Sequence, residues 1–465
     1  MSATPVIAIF DVGKTNKKLF LFDENYKIVY EKSARFIETV DEDGDPCENL
    51  ESLRSSIFDS LSHVINSEKE FEIKAINFST YGASFVYIDK EGYPLAPLYS
   101  YLKVYPEALK KQFYDTYGGE STVSGETASP VLGNLNSGMQ LYRMKYEKPQ
   151  VFARVKYALH LPQYLSFLLT GKAFSDITSI GCHTNMWDFT KNDYHRWIKE
   201  EGILEKLAPI VRSDKVIPVS VYDNDCEVGI GLHDSSAALI PYLVNFHQPF
   251  LLLSTGTWNI SLNPFNQSPL TKNELANDCL CYMQYKGKPV KASRIFAGFE
   301  HEQQVQRIAT HFDESTSFYK NIRFDPAIID GLKAGDKKKV KISQQKGQPK
   351  TSAFTQRDLS SFQSATEAYH QLILDIIEQQ YESTQFVLKG THVKRIFVDG
   401  GFSKNPIFMN LLAAAFPNIE VFAASMAQAT AIGAAMAIHN AWNSKPIPND
   451  VIDLKYYSVS GQSVI

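Results

Sequence analysis

Apolar residues along this chain fall into short runs with two different periods. Val6-Ile7-Ala8-Ile9-Phe10 is a continuous apolar run, Asp11-Val12-Gly13-Lys14-Thr15-Asn16 breaks it, and Leu19-Phe20-Leu21-Phe22 resumes it before Asp23-Glu24-Asn25. Runs of this length bounded by glycine and polar residues predict strand, tight turn, strand. The same grammar returns at Pro249-Phe250-Leu251-Leu252-Leu253, with Ser254-Thr255-Gly256-Thr257 as the turn and Trp258 to Leu262 as the second strand. Two such units predict two domains of related architecture, residues 1–246 and 247–465, each opening with a hairpin whose turn faces a common cleft.

The other period is helical. Leu50, Leu53, Ile57, Leu61, Val64 and Ile65 share one helix face, and the apolar segment 73–78 follows as a strand. Residues 365–388 repeat the pattern through Tyr369, Leu372, Ile373, Ile376, Ile377 and Tyr381. They lead into a strand at 395–399 that ends in Gly400-Gly401, after which Asn405-Pro406 reads as a helix cap with proline at the first helical position. Small residues at 427–435 predict a helix packed tightly behind the 395–399 strand. The Lys- and Gln-rich stretch 337–350 reads as a solvated loop. Helices alternating with strands make the chain α/β.

Composition narrows the function. The chain has 465 residues, 44% hydrophobic, with a net charge of -4 and a pI near 6.3. That length and apolar content suit two sizeable cores, and that charge offers no footprint for nucleic acid or an anionic membrane. Five cysteines without disulfide spacing fit a reducing cytoplasm, and Cys279-Leu280-Cys281 reads as buried strand cysteines, not a zinc site. The N-terminal stretch lacks a basic region, and Asp11 interrupts its apolar run, so neither a signal peptide nor a membrane span is expected.

The Gly13-Lys14-Thr15 triplet imitates the end of a phosphate-binding P-loop, but that motif requires a glycine where this chain has Ala8, and a helix where a strand follows. Gly13 and Gly256 instead allow hairpin backbones to approach phosphate oxygens, with the hydroxyls of Thr15, Thr255 and Thr257 as donors and Lys14 as a cation. Asp11 closes a buried strand at the turn, a costly position unless it meets a cation or donors. Asp234 precedes small residues at a predicted helix start, where it can cap the helix and where the helix dipole favours a carboxylate. Glu300-His301-Glu302 is no metal site, because alternate residues on a helix do not share a face.

Four segments in order carry a family resemblance: Asp11-Val12-Gly13-Lys14-Thr15-Asn16, Leu232-His233-Asp234-Ser235-Ser236, Ser254-Thr255-Gly256-Thr257, and Val398-Asp399-Gly400-Gly401 with Asn405. The chain resembles the FGGY carbohydrate kinases, within the actin, hexokinase and heat-shock chaperone ATPase superfamily. The resemblance implies two ribonuclease-H-like domains flanking a cleft, ATP and Mg²⁺ as cofactors, and a small sugar as partner, with homodimerisation left open. It implies Asp234 as the catalytic base and Asp11 as the Mg²⁺ residue. ATP contacts are implied at Gly13, Lys14, Thr15, Thr255, Gly256, Thr257, Gly298, Gly400, Gly401 and Asn405.

His233 beside Asp234, and the segment 79–89 with Gly82, look most like the rhamnulose and fuculose kinases. The Thr-rich segment 176–188 resembles one near the substrate. Sugar contacts are therefore expected from Gly82, Ser84, His183, Asn185, His233 and Asp234. Ser84 stands where many members carry an acid, and Tyr99-Ser100-Tyr101-Leu102 replaces their basic and acidic residues, so sugar recognition differs here. Xylulose, ribulose and polyols are alternative substrates, and a non-catalytic nucleotide-binding regulator is the alternative role.

Overall fold

The computed structural model describes residues 3–14, 17–34, 38–335, 351–426 and 428–458; Thr15 and the predicted loop 337–350 lie outside them. Both apolar hairpins form and belong to separate seven-stranded sheets. In the first, Thr4–Val12 pairs antiparallel with Lys17–Asp23 and parallel with Phe71–Thr80. In the second, Phe250–Thr255 pairs antiparallel with Asn259–Asn263 and parallel with Arg395–Gly400. The echo in the sequence is thus an echo in topology: a hairpin with a parallel strand on its open side.

The continuous apolar run of Thr4–Val12 is explained by burial on both faces. Val6, Ala8 and Phe10 join the core under helix Leu50–Ser67, while Ile7 and Ile9 face a second layer. That second layer corrects the placement of the small-residue helix. Ala429–Ala437 packs on strands Thr4–Val12 and Phe71–Thr80 and on helix Asp234–Asn245, not behind the 395–400 strand. A methyl at Gly433 would stand 1.9 Å from the Ala237 carbonyl oxygen. Asn77 Nδ2 donates to the Ala434 carbonyl at 2.8 Å. A helix from the second half therefore seals the back of the first sheet, where only small side chains permit so close an approach.

Local signals hold where capping chemistry is explicit. Helix Ala365–Leu388 begins on Ser364, whose side chain accepts the Glu367 N–H, and helix Pro406–Ala415 begins on Asn405, which accepts the Ile407 and Phe408 N–H groups. Between Phe71–Thr80 and Val216–Val221 the chain inserts an aromatic-rich helical unit, in which Trp197 and Phe113 are wholly buried and cross edge to face at 5.2 Å. The five cysteines are free and buried. Among the described residues, no helix is long and apolar enough to cross a membrane.

Candidate active site

Three parallel strand ends of the first sheet converge on one point. Asp11 is in register with Ser79, and the short strand Leu232–His233 is in register with Ser79 and Thr80. Ligands of α/β sheets gather outside the carboxyl ends of parallel strands, and here those ends deliver Asp11, His233 and Asp234 together. Asp11 is held by Thr430, whose Oγ1 donates to Oδ2 at 2.8 Å across from the second half. Burial pushes the Asp11 carboxyl up to about 6; the Thr430 hydrogen bond opposes the rise, the Asp234 charge adds to it, and Lys18 opposes it.

Asp234 is the first residue of helix Asp234–Asn245, and His233, in extended conformation, is the cap. Its Oδ1 accepts the Ser235 N–H at 2.6 Å. The carboxylate is therefore anchored on the first turn itself and does not span it as a cap would. The two acids offer only oxygen donors in a partly desolvated cleft, with like charges close enough to raise the Asp11 pKa, a pairing that a hard divalent cation relieves. Among the described residues, no group of three or more His, Cys, Asp or Glu is arranged to hold a metal ion. A cation such as Mg²⁺ would accordingly keep most of its water here.

Beside the acids lies a buried imidazole cluster. His233 Nε2 stands 3.3 Å from Asp234 Oδ1, and the ring stacks on Tyr282 at 5.8 Å. His183 meets both rings edge-on, at 6.3 and 6.0 Å. Gly82 makes room for this cluster, since a Cβ there would lie 2.7 Å from the His233 ring. Burial lowers the pKa of both histidines; His233 and Arg294 add to the effect at His183, and Asp234 opposes it at His233. Both ring nitrogens of His183 and Nδ1 of His233 are buried without a hydrogen-bond partner. Unpartnered buried nitrogens are costly, and ligand hydroxyls would satisfy them.

Ser84 and Asn185 have other work. Ser84 is 1% exposed and donates to the Tyr99 carbonyl at 3.3 Å. Asn185, in the left-handed region at φ 62, donates to Tyr114 Oη, accepts from Thr127 Oγ1, and receives Trp197 Nε1 on its carbonyl. Both side chains brace the inserted unit from within.

In the second half, a cavity of about 520 Å³ is lined by Gly256, Gly298, His301, Tyr319, Gly401 and Asn405. Backbone contact explains two of the glycines. A Cβ on Gly298 would sit 1.8 Å from the Gly256 carbonyl oxygen, and one on Gly400, at φ 92, would sit 1.9 Å from that of Thr255. The Thr255 hydroxyl is committed, donating to the Asp399 carbonyl at 2.6 Å and accepting the Phe402 N–H at 3.0 Å. It ties the turn to the neighbouring strand; Gly256 and Thr257 are exposed at the tip.

Asn405 caps its helix with Oδ1 and gives Nδ2 to Tyr369 Oη at 2.8 Å, which His301 Nε2 also meets at 2.9 Å. In the first turn, Gly13 is partly exposed, and Lys14 is paired with Glu38 at 3.0 Å and with the buried Glu48 at 3.5 Å. Tyr282 and the Tyr369–His301 pair were invisible in the sequence, because each reaches the site from a strand or helix with no local signature.

Comparison with known proteins bears on this arrangement. Residues 6–235 match the model of the FGGY family of carbohydrate kinases, N-terminal domain; residues 247–325 match the carbohydrate kinase FGGY, C-terminal domain; and residues 355–442 match the C-terminal domain of the FGGY family of carbohydrate kinases. A rhamnulokinase of Mannheimia succiniciproducens is 24% identical over 275 residues, 55% of this chain and 52% of that protein. An L-fuculokinase of Escherichia coli K12 is 24% identical over 273 residues, 55% and 56% of the two chains. The chain thus spans about half the length of the curated relatives it matches. A carbohydrate kinase from Novosphingobium aromaticivorans superposes with a TM-score of 0.78 at 22% identity, over 98% of this chain and 95% of that one. The likeness shows the fold: two α/β domains of the actin and hexokinase type with a cleft between them.

Proposed function

The chain belongs to the FGGY family of carbohydrate kinases, which are phosphotransferases, and from that premise we propose that it transfers the γ-phosphate of ATP to a hydroxyl of a small ketose. The observation that carries the reading is the convergence of Asp11 and Asp234 at adjacent strand ends, with His233 beside them. Phosphoryl transfer asks for positioning, charge neutralisation and a proton acceptor more than for covalent chemistry. Asp234 Oδ1 is engaged by Ser235, which leaves Oδ2 to take the proton of the attacking hydroxyl. Asp11 is the residue that would hold Mg²⁺, whose chemistry there is to neutralise charge on the nucleotide phosphates. Gly256 and Thr257 offer backbone to the phosphates, and Gly401 opens the adenosine cavity.

For the sugar, His233 and His183 supply the nitrogens that lack partners, and Gly82 leaves them space. His233 beside Asp234, together with the similarity to a rhamnulokinase and an L-fuculokinase, supports a deoxyketohexose such as L-rhamnulose or L-fuculose. The test is ADP release with a panel of these two sugars, xylulose, ribulose and glycerol, each at saturating ATP-Mg²⁺. A deoxyketohexose should give the highest kcat/KM. Xylulose or glycerol winning would reject the deoxy-sugar assignment, and no stimulation by any sugar would reject the kinase.

A further inference from the structure

A second cavity, of about 560 Å³, opens between the two halves, within the range of about 300–1,000 Å³ that suits a small molecule. Leu132 and Leu135 line it from the first half; Trp258, Asp278, Arg294 and Glu382 line it from the second. Arg294 is buried to 9% exposure, and its Nε and Nη2 donate to the two carboxylate oxygens of Asp278 at 2.9 and 3.0 Å. The guanidinium also lies 4.8 Å from the centre of the Trp258 ring. Asp278 takes φ 59, a left-handed conformation that L residues rarely adopt, so its place on Arg294 is held against backbone preference.

The cavity lies beside the second glycine turn. Trp258 directly follows the Gly256-Thr257 tip, and the Tyr282 phenol, stacked on His233, lies in the electrostatic field of Asp234 and also of Arg294 and Asp278.

A bidentate planar ion pair beside an aromatic ring, facing an apolar wall, is the chemistry that recognises a polyhydroxylated chain: hydroxyls meet the polar edge and C–H groups meet the rings. Its charge is informative. Arg294 is bound by Asp278, and Glu382 lines the same cavity, so two carboxylates stand against one cation among its lining residues. Resting on the kinase reading above, we propose that Trp258, Arg294 and Asp278 read the part of the sugar remote from the reacting hydroxyl and select a neutral polyol over an acidic one of the same length.

Calorimetric titration with ADP present, which needs no turnover, tests this with L-rhamnulose, L-fuculose and D-fructose against D-gluconate. In the native protein the best neutral ketose should bind at least about tenfold more tightly than gluconate. Asp278→Asn, which leaves Arg294 unpaired, should shift that ratio toward gluconate by about tenfold. Glu382→Gln, at an exposed position of helix Ala365–Leu388, should shift it the same way by about threefold without touching the ion pair. Gluconate binding as tightly as the ketoses, no binding of either class, or an unchanged ratio in Glu382→Gln would each overturn the proposal. Selective sugar binding without ADP release from ATP would uphold it while rejecting the kinase.

Discussion

The two hairpin turns share a backbone plan and differ in what dresses it. The first carries charge: Asp11 closes its strand, Lys14 sits at the tip, and Glu38 and Glu48 answer the lysine. The second carries none, and is shaped by the absence of side chains, with Gly298 and Gly400 letting neighbouring backbones press against its carbonyls. One turn is electrostatic and the other steric.

The sharpest way to break that contrast is to remove the acid beside the charged turn. Asp234→Asn should lower kcat by at least ~100-fold, the lower scale for a positioned general base, while ADP binding measured by calorimetry survives. Near-native kcat in the folded variant would remove Asp234 from the chemistry.

The steric turn is tested next. Gly298→Ala forces a methyl against the Gly256 carbonyl, so the KM for ATP should rise about tenfold and the Tm should fall by several degrees. Gly401→Val is its control. The nearest atom to a Cβ there is the Thr255 carbonyl oxygen at 4.0 Å, so the side chain enters the nucleotide cavity without disturbing the fold. The KM for ATP should rise with the Tm unchanged, and equal Tm losses in both variants would erase the distinction.

The charged turn predicts a pH signature that the steric turn lacks. The folded pKa of Asp11, about 6, lies above its ordinary value of 3.8. The folded protein thus holds this proton more tightly, and the stability it contributes is full below about pH 4 and lost as pH rises through 6. Asp11→Asn cannot suffer that loss. Without divalent cations, the variant should melt a few degrees above the native protein at pH 8 and converge with it near pH 4, as followed by calorimetry in matched buffers. Parallel curves across the range would mean that burial, with the Asp234 charge beside it, does not leave the Asp11 carboxyl raised.

The smallest effect belongs to Lys14. Because two carboxylates already neutralise its ammonium, Lys14→Met should change the KM for ATP by less than about fivefold and the Tm by about a degree. A tenfold rise would show that the lysine leaves Glu38 and Glu48 for phosphate.

The sequence by itself determined the strands, the glycine turns, helix 365–388 and the cap at Asn405, because each depends on residues a few positions apart: an apolar period, a side chain reaching the next N–H groups, a glycine between two apolar runs. It also marked Asp11 and Asp234 as acids at element ends. Which polar atoms are spent and which are free was decided only by the tertiary structure. Ser84, Asn185 and Thr255 carry hydroxyl and amide groups whose partners, Tyr99, Tyr114 and Asp399, come from distant segments. His183 looked no more exceptional than they did, and is left without a partner. Likewise the alanine-rich stretch near 430 announced close packing but not its neighbour, because small residues permit contact without choosing it, and Ala237, Asn77 and Asp11 come to it from segments distant in sequence.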